Sequence, residues 1–394
     1  MKYRENQKNG DMLSVLGYGC MRFSRKGADI DKEKTEKEIM AAIEMGINYF
    51  DTAYIYPGSE TCLGEILEKN EVREKVKITT KLPHYLLKKT EDADRYFDEQ
   101  LARLRTDHVD YYLMHFLASA ETWQRLVDLG IDSWLEQKKA EGRIRNVGFS
   151  FHGDTANFIR IIDSYDWDIC QVQFNYMDEH TQAGIDGLDY AHEKGIPVVI
   201  MEPLRGGRLA DKLPESAKEE FRKADPSLSP AQWGLKWLWD HEQVNVVLSG
   251  MNDISQIMEN VTAADSSEAN AFTDEDRELF ARVLEKINSN VKVKCTGCGY
   301  CQPCPQGVAI PTIFQIYNSS YGEQGYITAL KDYAMCTAIR ANSSGAGMCV
   351  GCGKCEQHCP QGIPIREELK KAAKRFETPL LKVGSKLLLK FMKQ

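Results

Sequence analysis

Val109-Asp-Tyr-Tyr-Leu-Met-His115 is a short run of apolar and aromatic residues that reads as a buried strand. An amphipathic helical run precedes it at residues 90–104 and another follows at 131–141. The same alternation extends both ways. Upstream lie a first strand ending near Gly17-Tyr-Gly-Cys20, a helix over 32–45, the strand Asn48-Tyr-Phe-Asp51, a helix over 61–69 and the strand Val76-Lys-Ile-Thr-Thr-Lys81. Downstream come the strands Ile144-Arg-Asn-Val-Gly-Phe-Ser150, Ile169-Cys-Gln-Val-Gln173, Pro197-Val-Val-Ile-Met201 and Val244-Asn-Val-Val-Leu-Ser249. Helices over 155–164, 185–194 and 230–241 separate them, and helices over 254–263 and 274–287 follow. Eight strand–helix units predict an α/β fold, a (β/α)8 TIM barrel. An open doubly wound sheet is disfavoured, because no Gly-x-Gly-x-x-Gly follows the first strand. A polar turn at Lys8-Asn-Gly-Asp11 predicts an N-terminal hairpin.

A different pattern follows residue 288. Eight of the twelve cysteines fall in two runs, Cys295-Thr-Gly-Cys298-Gly-Tyr-Cys301-Gln-Pro-Cys304-Pro305 and Cys349-Val-Gly-Cys352-Gly-Lys-Cys355-Glu-Gln-His-Cys359-Pro360. Packing needs no such spacing. Thiolates are soft ligands, and short steps place several sulfurs around one inorganic core. The second run has the C-x2-C-x2-C-x3-C-P spacing of a 4Fe–4S site. Zinc uses paired C-x2-C steps, but eight thiolates in two proline-ended runs match it poorly. Cys20, Cys62, Cys170 and Cys336 are scattered and read as ordinary thiols. The segment resembles a bacterial two-cluster ferredoxin, in which the last cysteine of each run ligates the other cluster. The resemblance implies Cys295, Cys298, Cys301 and Cys359 for one cluster, and Cys349, Cys352, Cys355 and Cys304 for the other. The first run departs from the pattern, with two residues before its last cysteine instead of three. Residues 313–341, between the runs, read as two inserted helices.

Asp51, Lys81 and His115 stand at the ends of three successive strands. In a TIM barrel those ends converge on the active-site mouth. Asn48-Tyr-Phe-Asp51-Thr-Ala-Tyr-Ile-Tyr56 resembles the Asp-Thr-Ala-x-x-Tyr motif of the aldo-keto reductases. Lys81 in Thr79-Thr-Lys-Leu82, His115 in Leu113-Met-His115 and the fifth strand, Glu141 to Ser150, match further motifs of that family. The resemblance covers roughly residues 10–288. It implies carbonyl reduction by a nicotinamide hydride, with Tyr56 as proton donor. A free tyrosine titrates near about pH 10, so a nearby Lys81 ammonium is expected to lower that value. Asp51 would hold Lys81, and His115 would orient the carbonyl.

The resemblance also implies a cofactor site. Gly19, Cys20 and Met21 end the first strand. Ser150 and Gln173 would bond the nicotinamide amide, although Phe151 stands where an asparagine is usual. Met201 would cover the nicotinamide ring. Leu204, Gly206 and Gly207, within Pro203-Leu-Arg-Gly-Gly207, would lie against the pyrophosphate. Ser249, Gly250, Gln256, Glu259 and Asn260 fall on the adenosine loop and helix. NADP-preferring members carry a lysine and an arginine where this chain has Gly250 and Gln256. The absent cations point to NAD(H), or to weak binding of either nucleotide.

The 394 residues suit a barrel over 1–288, a small α-helical, ferredoxin-like iron–sulfur domain over 289–376 and a basic amphipathic tail over 377–394. The tail sets Lys382, Lys386 and Lys390 on one helical row, a pattern read as packing on protein rather than on a membrane. A net charge of −8 argues against nucleic acid. The polar start and the lack of a spanning apolar run lead to the expectation of a cytoplasmic protein. Partners are then a small-molecule carbonyl and a redox protein.

Two other classes stay open. One is an electron-transfer protein whose barrel reduces no carbonyl; the other has clusters that serve only as staples. Nicotinamide yields two electrons together, whereas a 4Fe–4S cluster takes one. A flavin at Arg205–Gly207 would bridge the two modes, but no flavin motif is present. Substrate identity and oligomeric state are not written in the sequence.

Overall fold

The computed structural model describes residues 1–289, 291–295, 299, 301–321, 325–338, 344–359 and 361–378. The expected eight strands are present: β1 (Leu16–Gly19), β2 (Tyr49–Asp51), β3 (Lys77–Leu82), β4 (Val109–Leu117), β5 (Ile144–Phe151), β6 (Ile169–Gln173), β7 (Val198–Met201) and β8 (Val244–Ser249). Each pairs in parallel with the next in the chain, and β8 closes on β1 through Val247↔Leu16 and Leu248↔Gly17. Strands buried on both faces explain the near-continuous Val, Ile and Leu content.

Helices cover the barrel because their apolar positions recur on one face. The helix Pro230–Asp240 starts at a capping box in which Ser229 and Gln232 satisfy each other's backbone N–H groups, with proline in the first turn. Gly148 in β5 is required by close approach: a Cβ there would meet Ile169 O at 2.4 Å.

The N-terminal hairpin, Tyr3–Glu5 with Met12–Ser14, forms as expected. It sits under the N-terminal ends of the strands. Tyr111 Oη donates to Asp11 Oδ2 at 2.7 Å, and Asn9 Nδ2 donates to Asn146 Oδ1 at 2.8 Å. Leu13 joins Tyr49, Tyr111, Leu113, Ile169 and Val199 inside the barrel. One end is therefore plugged, and chemistry is left to the C-terminal mouth.

Two segments differ from the sequence reading. Between the strand at 109–115 and the helix over 131–141, where no element was anticipated, Ala120–Asp128 is helical, capped by Ser119 Oγ and anchored by buried Trp123 and Leu126. The helix Glu215–Ala224 was not anticipated either; its buried Ala217 and Phe221 form the inward face.

The chain divides into two compact units, Met1–Ala210 with Ser227–Arg277, and Asp211–Pro226 with Glu278–Gln394. In the second unit the helices Ile310–Ser319 and Gly325–Tyr333, followed by a π-helical turn at Ala334–Ala338, occupy the interval between the cysteine runs. They pack with Ile365–Phe376 around Phe314, Tyr317, Tyr333, Leu369 and Phe376. The tail over 379–394 lies outside the described residues, as does Cys298. Among the described residues no helix is long and apolar enough to cross a membrane.

Candidate functional site

Asp51 ends β2, and Lys81 lies near the end of β3. Lys81 Nζ donates to Asp51 Oδ1, Asp51 Oδ2 and Thr52 O, each at 2.7 Å. Lys81 is 1% exposed and Asp51 4%. All three ammonium protons are thus placed inside the protein. Burial works against the charged amine, but the Asp51 carboxylate and the Tyr56 phenol more than offset it and hold Lys81 above its ordinary value. A second donor, Gln171 Nε2 on β6, reaches Asp51 Oδ2 at 2.9 Å.

Tyr56 sits five residues beyond β2 in a tight turn closed by Tyr56 N–H to Ala53 O at 3.0 Å. Lys81 Nζ lies 5.4 Å from the centroid of its ring. The His115 ring stands edge-on to Tyr56, with centroids 6.2 Å apart. The four expected catalytic side chains therefore share one neighbourhood at the mouth. One expectation is corrected. Burial raises the Tyr56 phenol, and although Lys81 pulls the other way, the net direction is upward. The hydroxyl is held as an acid instead of being eased toward phenolate.

His115 is aimed by a local irregularity. The β4–β5 register shifts between Met114 and Leu117, and Phe116 adopts φ 68°. Such a bulge re-aims neighbouring side chains. The Phe116 N–H donates to Ser150 Oγ at 2.8 Å, which fixes the bulge. Burial first, then Lys81, His152 and His84, push the His115 imidazole down to about 3, so it is neutral at physiological pH. Its Nδ1 is buried with no hydrogen-bond partner among the described residues. Tyr85 (ring centroid 6.4 Å from His115) and Phe116, tilted at 31° against His152 with centroids 4.4 Å apart, line the same rim.

The expected cofactor residues ring this mouth with mixed availability. Gly207 presents open backbone, Gly19 packs against the Ser249–Gly250 backbone, and the Arg22 side chain lies above Gly250. Gly206 adopts φ 68° and Gly207 φ 85°, which glycine tolerates best. Cys20 is buried and Met21 is exposed. Met201 and Leu204 are half-buried.

Several polar candidates are engaged by the protein itself. Ser150 holds the Phe116 amide. Gln173 donates to Asp178 Oδ2 at 3.0 Å and accepts from Gln182. Gln256 Oε1 accepts from the Asn252 N–H at 3.1 Å, and Asn260 Nδ2 donates to Ser249 Oγ at 3.1 Å. Glu259 accepts from Ser229. A nucleotide amide at Gln173 would have to displace Asp178 or Gln182.

Sequence reading missed Gln171 and the Phe116 bulge. Gln171 was within reach: it lies two residues before Gln173, hence on the same strand face.

In the second unit the cysteines sort around two cavities. One, of about 280 Å³, is lined by Cys301, Cys304, Cys349, Cys352 and Cys355, so that Cys301 borders both. The other is lined by Cys295, Cys301 and Cys359. Cys304 thus faces the second run's cavity, and Cys359 the first run's. Among the described residues no three His, Cys, Asp or Glu side chains converge tightly enough to chelate a single ion. Thiolates spread round a cavity suit a cluster with one sulfur ligand per iron. Gly299, Gly351 and Gly353 take positive φ within the cysteine turns, which lets the chain bend back between ligands.

Comparison with known protein families matches two segments of the chain. Residues 15–280 match the model of the Aldo/keto reductase family, and residues 294–363 match that of the 4Fe-4S dicluster domain. L-galactose dehydrogenase of Arabidopsis thaliana is 26% identical over 305 residues, 71% of this chain and 93% of that protein. An aldo-keto reductase of Mycobacterium tuberculosis is 31% identical over 232 residues, 57% of this chain and 73% of that protein. A Klebsiella pneumoniae aldo-keto reductase, solved in complex with NADPH, is 22% identical with a TM-score of 0.59, over 72% of this chain and 95% of that one. The protein belongs to the aldo/keto reductase family and carries, beyond its barrel, a 4Fe-4S dicluster domain.

Proposed function

We propose that the barrel reduces an aldehyde or ketone with a nicotinamide nucleotide, and that the C-terminal unit holds two 4Fe–4S clusters that carry electrons. The single observation that carries the reading is the buried Lys81, whose ammonium is shared by Asp51 and faces the Tyr56 ring. A lysine in that setting has no structural use that an apolar residue would not serve better, because burying an ion pair costs desolvation on both sides.

The bound nucleotide would supply hydride to the carbonyl carbon. The residues supply the rest. Neutral His115 would donate a hydrogen bond to the carbonyl oxygen. Tyr56 would release its proton to that oxygen as negative charge develops there. Lys81 would stabilise the resulting phenolate, and a group that favours charge only after proton transfer lowers the barrier and not the ground state. Asp51 keeps Lys81 protonated. Gly250 and Gln256 leave the 2′-phosphate without its usual cations, which favours NADH over NADPH. Cys295, Cys298, Cys301 and Cys359 would hold one cluster, and Cys349, Cys352, Cys355 and Cys304 the other.

The test is anaerobic purification with iron and sulfide assay, then NADH and NADPH oxidation against aldehydes, ketones and quinones. About eight irons per chain and nucleotide-dependent carbonyl turnover are expected. A protein with full iron content and no turnover on any carbonyl would end the reductase reading. Flavin bands released on denaturation would show that a further cofactor links the two chemistries.

A further inference from the structure

We propose that the cluster of Cys304, Cys349, Cys352 and Cys355 is the higher-potential of the two and the point at which electrons enter or leave the C-terminal unit, and that Lys354 and Arg366 set its potential. The inference rests on the reading of that unit as holding two clusters.

The two cavities have unlike walls. Among the described residues the cavity of Cys295, Cys301 and Cys359 is lined by Pro311, Phe314, Ile363 and Ile365 and by no charged side chain. Phe314 is 0% exposed and Ile365 2%. The cavity of the second run is lined by Lys354 and Arg366. Cys352 is exposed there, and so is Val350. Reduction adds one negative charge. Apolar walls oppose that charge, whereas water and cations favour it, and the potential of an iron–sulfur cluster follows both solvent exposure and nearby charge. The two differences act in the same direction, so the second-run site is the first to take an electron.

The cation is fastened to the ligand loop. Arg366 Nε donates to Glu356 Oε2 at 2.9 Å, and its Nη2 lies 2.7 Å from the same carboxylate. The Arg366 N–H donates to Glu356 Oε1 at 2.8 Å. The guanidinium lies over Gly353, between Cys352 and Cys355, where a Cβ would sit 3.6 Å from Arg366 Cζ. Glu356 therefore offsets part of the Arg366 charge, so losing the acid and losing the cation should act with opposite signs. Lys354 is exposed and makes no ion pair among the described residues.

A single turn of chain divides the two walls. Ile365 and Arg366 open the helix Ile365–Phe376, and the first lines the apolar cavity while the second lines the cationic one. Cys301 and Ile310 line both cavities. An electron delivered to either site thus has one shared wall to cross, and it settles where charge is favoured.

The anaerobic, cluster-loaded full chain would be titrated with titanium(III) citrate and followed by electron paramagnetic resonance. Parent, Lys354→Gln, Arg366→Gln and Glu356→Gln would be compared, with iron and sulfide assayed on each. The parent should show two one-electron steps whose equilibrium constants differ by at least about tenfold, or about 59 mV. Lys354→Gln and Arg366→Gln should each lower the constant of the higher-potential step by about threefold to tenfold. Glu356→Gln should raise it, and the lower-potential step should stay in place. A chelated lanthanide in solution should speed the relaxation of the higher-potential signal more than that of the other. Lys354→Gln carries the test alone if Arg366→Gln holds less iron than the parent. Coincident steps, a shift confined to the lower-potential step, an unmoved higher-potential step in Lys354→Gln or faster relaxation of the other signal would each overturn the proposal alone. A parent with only about four irons per chain would remove both this proposal and the two-cluster reading beneath it.

Discussion

Gln171 Nε2 on β6 donates to Asp51 Oδ2 on β2 at 2.9 Å, across the interior of the closed barrel from a strand four places away. Asp51 is therefore fixed from two directions, by Lys81 and by Gln171, and the ion pair cannot swing as a unit.

Removing Asp51 should be far more damaging than removing Gln171. Asp51→Ala leaves the Lys81 ammonium buried without its counter-charge, at a cost of about 3–5 kcal/mol. Gln171→Leu removes one hydrogen bond to a carboxylate, at about 1–3 kcal/mol. Urea unfolding followed by tryptophan fluorescence measures both. The sign with pH follows from the raised Lys81 value. The Lys81 contribution is complete below the unfolded lysine value of about 10.4 and is lost as pH rises through the higher folded value. Equal stabilities of Asp51→Ala and parent at neutral pH would contradict this account of the pair.

Tyr56→Phe should lose most carbonyl turnover, on the order of a hundredfold or more, while nucleotide affinity stays near that of the parent. Because burial raises the phenol, the acid form persists past the usual tyrosine value of about 10. The kcat/KM profile for reduction should then be free of a tyrosine limb up to about pH 10 and fall only above it. A Tyr56→Phe variant that turns over a confirmed substrate at the parent rate would remove the phenol from the reaction.

His115 should stay neutral throughout the physiological range. Its imidazole sits at about 3, against about 6.5 unfolded. Neutral burial therefore supports the fold fully above about pH 6.5, and that support is lost as pH falls toward the folded value. Carbon-detected NMR of histidine-labelled protein should show no His115 titration between about pH 5 and 8. A midpoint near 6.5 would mean that the ring is open to water and not desolvated at the mouth.

The two cavities make the cluster ligation testable by crossing. Cys304→Ser should disturb the cluster proposed for Cys349, Cys352 and Cys355, and Cys359→Ser the one proposed for Cys295, Cys298 and Cys301. Each variant should lose up to about half of the iron and acid-labile sulfide. Electron paramagnetic resonance of the reduced protein should lose a different cluster signal in each. If Cys304→Ser and Cys295→Ser removed the same signal, the ligation would follow the sequence runs and not the cavities.

Much of this was legible without coordinates. Eight strands, their order and the parallel pairing follow from alternation between short apolar runs and amphipathic helices, which is a local property. The cysteine spacing carried ligand chemistry because a compact core needs its sulfurs close along the chain. Asp51, Lys81 and His115 were placed by their positions at strand ends, which a closed barrel brings together.

Other features depend on contacts between segments far apart in sequence. Gln171 and Gln173 are alternate residues of one strand, and only barrel closure makes the deeper one meet Asp51 while the shallower one meets Asp178. The Ala120–Asp128 helix takes its support from the burial of Trp123 and Leu126, which its own short pattern does not announce. The direction of the Tyr56 shift is a balance between desolvation and the Lys81 charge, and burial depth is a property of the packed mouth. Which groups can do chemistry and which strands carry them is legible along the chain, because composition and period act locally. Tertiary structure decided which of those groups touch, because distance, burial and charge balance exist only once the barrel has closed.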